Sequence, residues 1–140
     1  IPYLKNYDCV FGTRTKYRYI KKDAKMGFFL KFGNIAVARF LGILFNYNYF
    51  TDVGCTFKLI QKKHLDLINN NLEIVKDSTF QPYLMILLIL KGLKIIEIPV
   101  SYYPRIGYSK ITYNFTSSFI LGIRMILLII KMFFIFLNQL

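Results

Sequence analysis

Three short stretches of this sequence hold residue types suited to gripping an anion. In VFGTRT an apolar run reaches Gly12 and is followed by a hydroxyl and Arg14. Ligands in α/β sheets bind beyond the carboxyl ends of strands, where an arginine can hold a phosphate through two parallel hydrogen bonds. Many strands end in a glycine and an exposed arginine, so this stretch alone defines nothing. In FTDVGCTFKLI, Asp52 lies in a glycine-containing turn before a basic strand. A single aspartate in a turn commonly bonds its own backbone. In YYPRIGYSK, residues 102–110, Pro104 stiffens the start, Gly107 allows a bend, and Arg105 and Lys110 are the charges. Such a segment is either an ordinary basic connection or a wrap around an anion.

Other reactive side chains are sparse. Cys9 and Cys55 lack a CxxC spacing, so they read as two reduced thiols in a reducing compartment, not as a disulfide or metal ligands. The single histidine, His64, lies in KKHLDLI and reads as a surface residue, with no second imidazole to work with.

The net charge of +12 is uneven. Residues 1–50 hold nine cations and two acids, residues 51–100 six and five, and residues 101–140 four and none. With 55% hydrophobic residues, these basic ends favour an anionic membrane surface or a lipid phosphate, and not nucleic acid. The 140 residues suffice for one domain with a core. The chain begins Ile-Pro and reads as a piece of something longer, without a signal peptide.

The elements that must position these residues follow from pattern. Tyr7 to Phe11 reads as a buried strand ended by Gly12, and RTKYRYIKKDAK as a basic loop. Gly27 to Phe45 reads as a mostly buried helix. At about 100° per residue, Lys31, Asn34, Arg39 and Gly42 share an arc of about 140°, either a solvated stripe or the wall of a site. GCTFKLIQ reads as a strand and KKHLDLINNN as a short helix. Asp77 or Ser78 is expected to cap a helix from Phe80 to Lys91, which Gly92 ends before the strand LKIIEIPVSYY. Lys91, Gly92 and Lys94 interrupt the apolar run there, leaving it too short to cross a bilayer. Strands alternating with helices imply an α/β class. In 114–140, Ser117, Arg124, Lys131 and Asn138 recur every seven residues on an otherwise apolar helix. That helix either lies in a membrane interface, spans with snorkelling cations, or is covered by protein.

Taken in order, YDCVFGTRT, KFGNIAVARFLG, FTDVGCTFKLI, FQPYLMILLILKGLKIIEIPVSYYPRIGYSKIT and NFTSSFILGIRMILLII resemble the C-terminal half of a family 2 inverting glycosyltransferase of GT-A fold. The likeness is to the dolichyl-phosphate mannose synthase-like, polyprenyl-phosphate branch. It covers nearly the whole chain, and TDVGCTFK and EIPVSYYPRIGYSK carry it most specifically. The resemblance implies a partial GT-A sheet over 1–113 with flanking helices, then an amphipathic, membrane-associated helix over 114–140. It implies an enzyme moving a sugar from a nucleotide-sugar donor to a lipid-phosphate acceptor at the cytoplasmic face of a membrane. Arg14 then lies near the phosphates, Asp52 is the catalytic base or positioning group, and Arg105 and Lys110 sit in the acceptor loop. Asn34 joins them as a substrate-binding residue.

Two departures accompany the resemblance. The family's DxD motif for a divalent metal, Mg or Mn, belongs to a half upstream of Ile1, and no DxD occurs here. The segment therefore binds no metal alone and is expected to be inactive alone. Tyr83 also stands in FQPY where relatives often carry a glutamate. Transfer to a glycan hydroxyl, with Asp52 as general base, and an inactive truncated membrane-binding module are the alternatives.

Overall fold

The strand Cys9–Thr13, β1, is buried at all five positions, so both its faces must be covered and both its edges paired. In the computed structural model it is the centre of a three-stranded sheet. The structure describes residues 2–21, 24, 27–47, 50–72, 75, 77–104 and 114–138. On one edge β1 pairs antiparallel with β2, Lys58–Ile60, with Phe11 opposite Lys58. On the other it pairs parallel with β3, Ile95–Pro99, from Cys9 opposite Ile95 to Thr13 opposite Pro99. Gly12, expected to end the strand, lies within it. A Cβ there would come within 3.1 Å of Cys55 Sγ, Phe57 Cβ and Val100 Cγ1, so close packing, not a turn, requires the glycine.

Among the described residues, four α-helices accompany the sheet: α1, Phe28–Leu44; α2, Lys62–Leu72; α3, Phe80–Leu90; and α4, Phe115–Leu137. Short 3₁₀ turns occupy Pro2–Lys5 and Tyr17–Tyr19, the latter inside the stretch read as a loop. The chain is thus mixed α/β. α3 is the buried helix its sequence suggests, covered from Pro82 to Leu88. Asp77 holds the approach to it, accepting from the Thr79 amide at 2.7 Å. A bond from the Thr79 hydroxyl and then the amide bond hold the Asp77 carboxyl below its ordinary value.

α1 and α3 end in the same way. Gly92, at φ +69°, donates to Ile89 O at 2.8 Å while Leu93 donates back to Leu88 O at 3.2 Å. Asn46, at φ +52°, and Tyr47 repeat this pattern on Ile43 O and Gly42 O. A left-handed residue just past the helix lets two orphan carbonyls find donors, and asparagine is the usual substitute for glycine. The second turn delivers Tyr47, whose hydroxyl donates to Ile95 O at 2.9 Å and accepts from Ile95 N at 2.6 Å. A tyrosine thereby satisfies both backbone groups of Ile95.

His64 is no free surface residue. Its Nε2 lies 2.8 Å from Asp8 Oδ1, while Asp8 Oδ2 accepts from Lys94 N at 2.9 Å. The Lys94 amide and then His64 hold the Asp8 carboxyl below its usual range. This tie fastens α2 to the start of the sheet, and Ile68 buries the helix's inner face. Cys9 and Cys55 are both free and buried.

α4 is 23 residues long and apolar enough to cross a membrane by length and composition. In the fold its inner face joins the common core through Met125 and Ile129, against α1 and α3. Phe115 meets Phe29 near the start of α1, and Phe133 meets Phe45 just past its end, at ring distances of 5.3 and 5.9 Å. The two helices therefore run side by side in the same direction. α1, expected to be mostly buried, is buried only at Val37, Ala38, Leu41 and Gly42. We predict that Ile129→Ala costs about 2–5 kcal/mol in urea unfolding, because Ile129 is fully enclosed. A change below about 0.5 kcal/mol would show α4 undocked in solution.

Candidate functional site

Arg14 leaves the carboxyl end of β1 and turns its guanidinium onto Asp52, 38 residues away. Nε donates to Oδ2 at 2.8 Å and Nη2 to Oδ1 at 2.9 Å, a two-pronged pair. The Arg14 backbone N–H also donates to Oδ2 at 2.9 Å, and Gly54 N donates to Oδ1 at 3.0 Å. The Asp52 side chain has no exposed surface, whereas that of Arg14 keeps 19%. Burial by itself lowers the Arg14 pKa, but the hydrogen bond and charge of Asp52 reverse this and raise it. The pair consumes Asp52 and leaves the Nη1 donors of Arg14 outside it.

A second carboxylate fixes the turn that carries Asp52. Glu97, from β3, accepts from Thr51 N at 3.0 Å, Thr51 Oγ1 at 2.6 Å and Asp52 N at 3.1 Å. Burial pushes the Glu97 carboxyl above its ordinary value, and the bonds from Thr51 and Asp52 pull it part of the way back. Beneath Arg14, the hydroxyls of Thr13, Thr15 and Thr51 form a triangle with sides of 2.8, 2.9 and 3.1 Å. The β1–β3 pairing brings Glu97 opposite Phe11, so sheet register sets the height of the whole arrangement.

Asn34 arrives from α1. Its Nδ2 donates to Leu30 O at 2.9 Å, which leaves Oδ1 aimed at the Asp52 turn. A Cβ on Gly54 would lie 2.6 Å from this oxygen and 3.1 Å from Arg14 Nη2, so any larger residue there must displace the Asn34 amide. Tyr102 completes the rim, with Arg14 Cζ 5.8 Å from its ring centroid. Its backbone is pinned by Tyr19 O at 2.8 Å and the Lys21 amide at 3.0 Å. Arg105 and Lys110, from the same stretch, lie outside the described residues.

Arg14, Asp52 and Asn34 therefore come together in the fold. Glu97, Thr15 and Thr51 were not singled out from sequence, while Thr13, Gly54 and Lys58 entered only as the hydroxyl before Arg14, the glycine of the Asp52 turn and the cation of the strand after it. Glu97 is the one acid in the apolar run KIIEIPV and Lys58 the one cation in TFKLI, which is the signal available. Thr15 and Thr51 carry none. Tyr83, at the position where a carboxylate was expected, is buried in the core.

Lys58 reaches inward from β2. Its Nζ donates to Cys55 O and to Gln81 Oε1, the latter at 2.7 Å, and lies 4.9 Å from the Phe11 ring centroid. Burial, with no carboxylate in direct contact among the described residues, brings its pKa down to about 8. Among the described residues no three His, Cys, Asp or Glu side chains stand close enough to hold a metal ion. Asp52 and Glu97 spend their oxygens on protein donors, so these residues do not fit a divalent cation. Comparison with protein-family models, curated proteins and solved structures gives no match.

Two predictions test this geometry. Gly54→Ala should cost about 1–3 kcal/mol, and adding Asn34→Ala should return at least about 1 kcal/mol of it. Additive losses would mean the two residues are not in contact. For Lys58, the folded pKa near 8 lies below the ordinary 10.5, so the folded state releases its proton first. Below pH about 8 both states are protonated and the fold bears the full burial cost; between about 8 and 10.5 its stability rises with pH. Lys58→Met should lack that rise in urea unfolding, and identical pH slopes in parent and variant would count against the buried ammonium.

Proposed function

We propose that this chain is the C-terminal portion of a family 2 glycosyltransferase of GT-A fold. It would transfer a sugar from a nucleotide-sugar to a polyprenyl phosphate or related lipid acceptor at the cytoplasmic face of a membrane. One observation carries the reading: Arg14, Asp52, Asn34 and the root of the 102–110 segment, scattered through the sequence, meet beyond the carboxyl end of β1. Strand ends of α/β sheets are where phosphate ligands bind. The long apolar α4 supports a membrane location.

The chemistry of such a site follows from its charges. A lipid phosphate is already ionised at neutral pH, so it needs cations and orientation more than a base. Its oxygen attacks the anomeric carbon as the bond to the nucleoside diphosphate breaks. Arg14, held rigid by Asp52 and placed beside Tyr102, offers to a phosphate the Nη1 donors that the Asp52 pair does not use. Arg105 and Lys110, in the segment that leaves Tyr102, supply the further cations. Asp52, with four donors on its two oxygens, is suited to positioning Arg14 and not to taking a proton. That favours a phosphate acceptor over a glycan hydroxyl, which requires a general base. The donor's nucleotide and a divalent ion, Mg or Mn, would fall to the half that the resemblance puts upstream, and the ion would supply positive charge for the diphosphate leaving group.

In the full-length protein, Arg105→Ala should lower transfer to polyprenyl phosphate by about 100-fold or more. Transfer at the parent rate would remove the acceptor role from this segment.

A further inference from the structure

The outward face of α1 is the opposite of what a water-facing helix presents. Phe28, Phe29 and Phe32 are 76%, 71% and 63% exposed, while Asn34 and Gly42 turn toward the protein. The rings form a ladder that continues onto α4. Phe32 stacks on Phe28, Phe28 meets Phe29, Phe29 meets Phe115 and Phe115 stacks on Phe119, with centroids 5.3–6.2 Å apart.

α4 extends this surface. Phe115, Phe119, Ile120, Ile123, Leu127 and Phe134 are all exposed, and at about 100° per residue they share an arc of about 140°. Arg124 and Lys131, also exposed, lie at the edge of that arc. Cations bordering an apolar arc are the pattern of a helix lying in the headgroup region, where their stems run along lipid and their charges reach phosphates. Neither α1 nor α4 contains an acidic residue, against four cations between them. Asp77, at the approach to α3, feels the Arg124 charge.

We propose that α1 and α4 form one docking face for an anionic phospholipid bilayer, with the α1 phenylalanines inserted beside those of α4. The inference rests on the membrane location proposed above, not on sugar transfer. A second copy of the chain is the poorer occupant, because it would bring basic helices against basic helices. Because α4 lies along α1 for the whole length of that helix, it stays in the interface plane and does not cross the bilayer. Asn34 is on the inner side of α1, so the Arg14–Asp52 centre lies one helix thickness, about 10 Å, from the lipid. A phosphate carried by a lipid can cover that distance without leaving its anchor.

The chain has no tryptophan, which makes Phe32→Trp a clean reporter. With vesicles of phosphatidylcholine and phosphatidylglycerol, its emission should shift to the blue and be quenched by bromine-labelled acyl chains. Phe29→Ser/Phe32→Ser should weaken vesicle partition about tenfold or more, with unchanged far-ultraviolet circular dichroism. Unquenched Phe32→Trp emission on vesicle-bound protein would overturn the proposal, as would equal partition of the double variant. So would a dimer in sedimentation velocity that dissociates in the double variant while the parent ignores vesicles. These vesicles hold neither sugar donor nor polyprenyl phosphate, so failure here leaves the transfer reading standing, and loss of transfer leaves this one standing.

Discussion

The Arg14–Asp52 pair is the constraint on which the rest of the site depends. A carboxylate without exposed surface has to be matched bond for bond, because an unpaired buried charge costs several kcal/mol. Asp52 meets that demand with both prongs of Arg14 and two backbone amides. Three of these donors belong to Arg14 and the fourth to Gly54. The Arg14 amide requires β1 to end where it does, and the Gly54 amide requires the turn that Glu97 holds. Buried pairs contribute little net stability over a well-packed apolar substitute, so this one is better understood as fixing a conformation. What it fixes is a guanidinium at a strand end with donors to spare.

α1 links that centre to the outside. Its inner side carries Asn34 to within contact of the Gly54 turn, and Val37, Ala38 and Leu41 into the core. Its outer side carries the phenylalanine ladder onto α4. A polar group pointing in and aromatic rings pointing out make sense when the inside is a charged site and the outside is lipid. The terminal turns at Asn46 and Gly92 complete the frame, since the first delivers the Tyr47 clamp on Ile95 and the second starts the approach to β3.

Much of this was legible in the residues. The α/β class followed from alternating patterns, and α2 and α3 from their composition and flanking residues, although Thr79 and not Asp77 or Ser78 stands at the start of α3. Gly12 was misread because a glycine near a strand end signals a turn, while its cause here is contact with three side chains that sequence does not reveal. α1 was read as a mostly buried helix, yet its phenylalanines point outward, since apolar content does not say which solvent a residue faces. Glu97 needed the parallel register with β1, a long-range pairing, before its role under Thr51 and Asp52 could be seen. His64 likewise needed Asp8, 56 residues away, to become a tie between α2 and the sheet.

The most direct test of this account is a double-mutant cycle on Arg14 and Asp52, using Arg14→Met, Asp52→Leu and the pair, followed by urea unfolding. The account predicts a coupling energy of about 2 kcal/mol or more, with each single change costlier than the two together. Additivity to within about 0.5 kcal/mol would contradict it, because the two side chains would then not be holding one another.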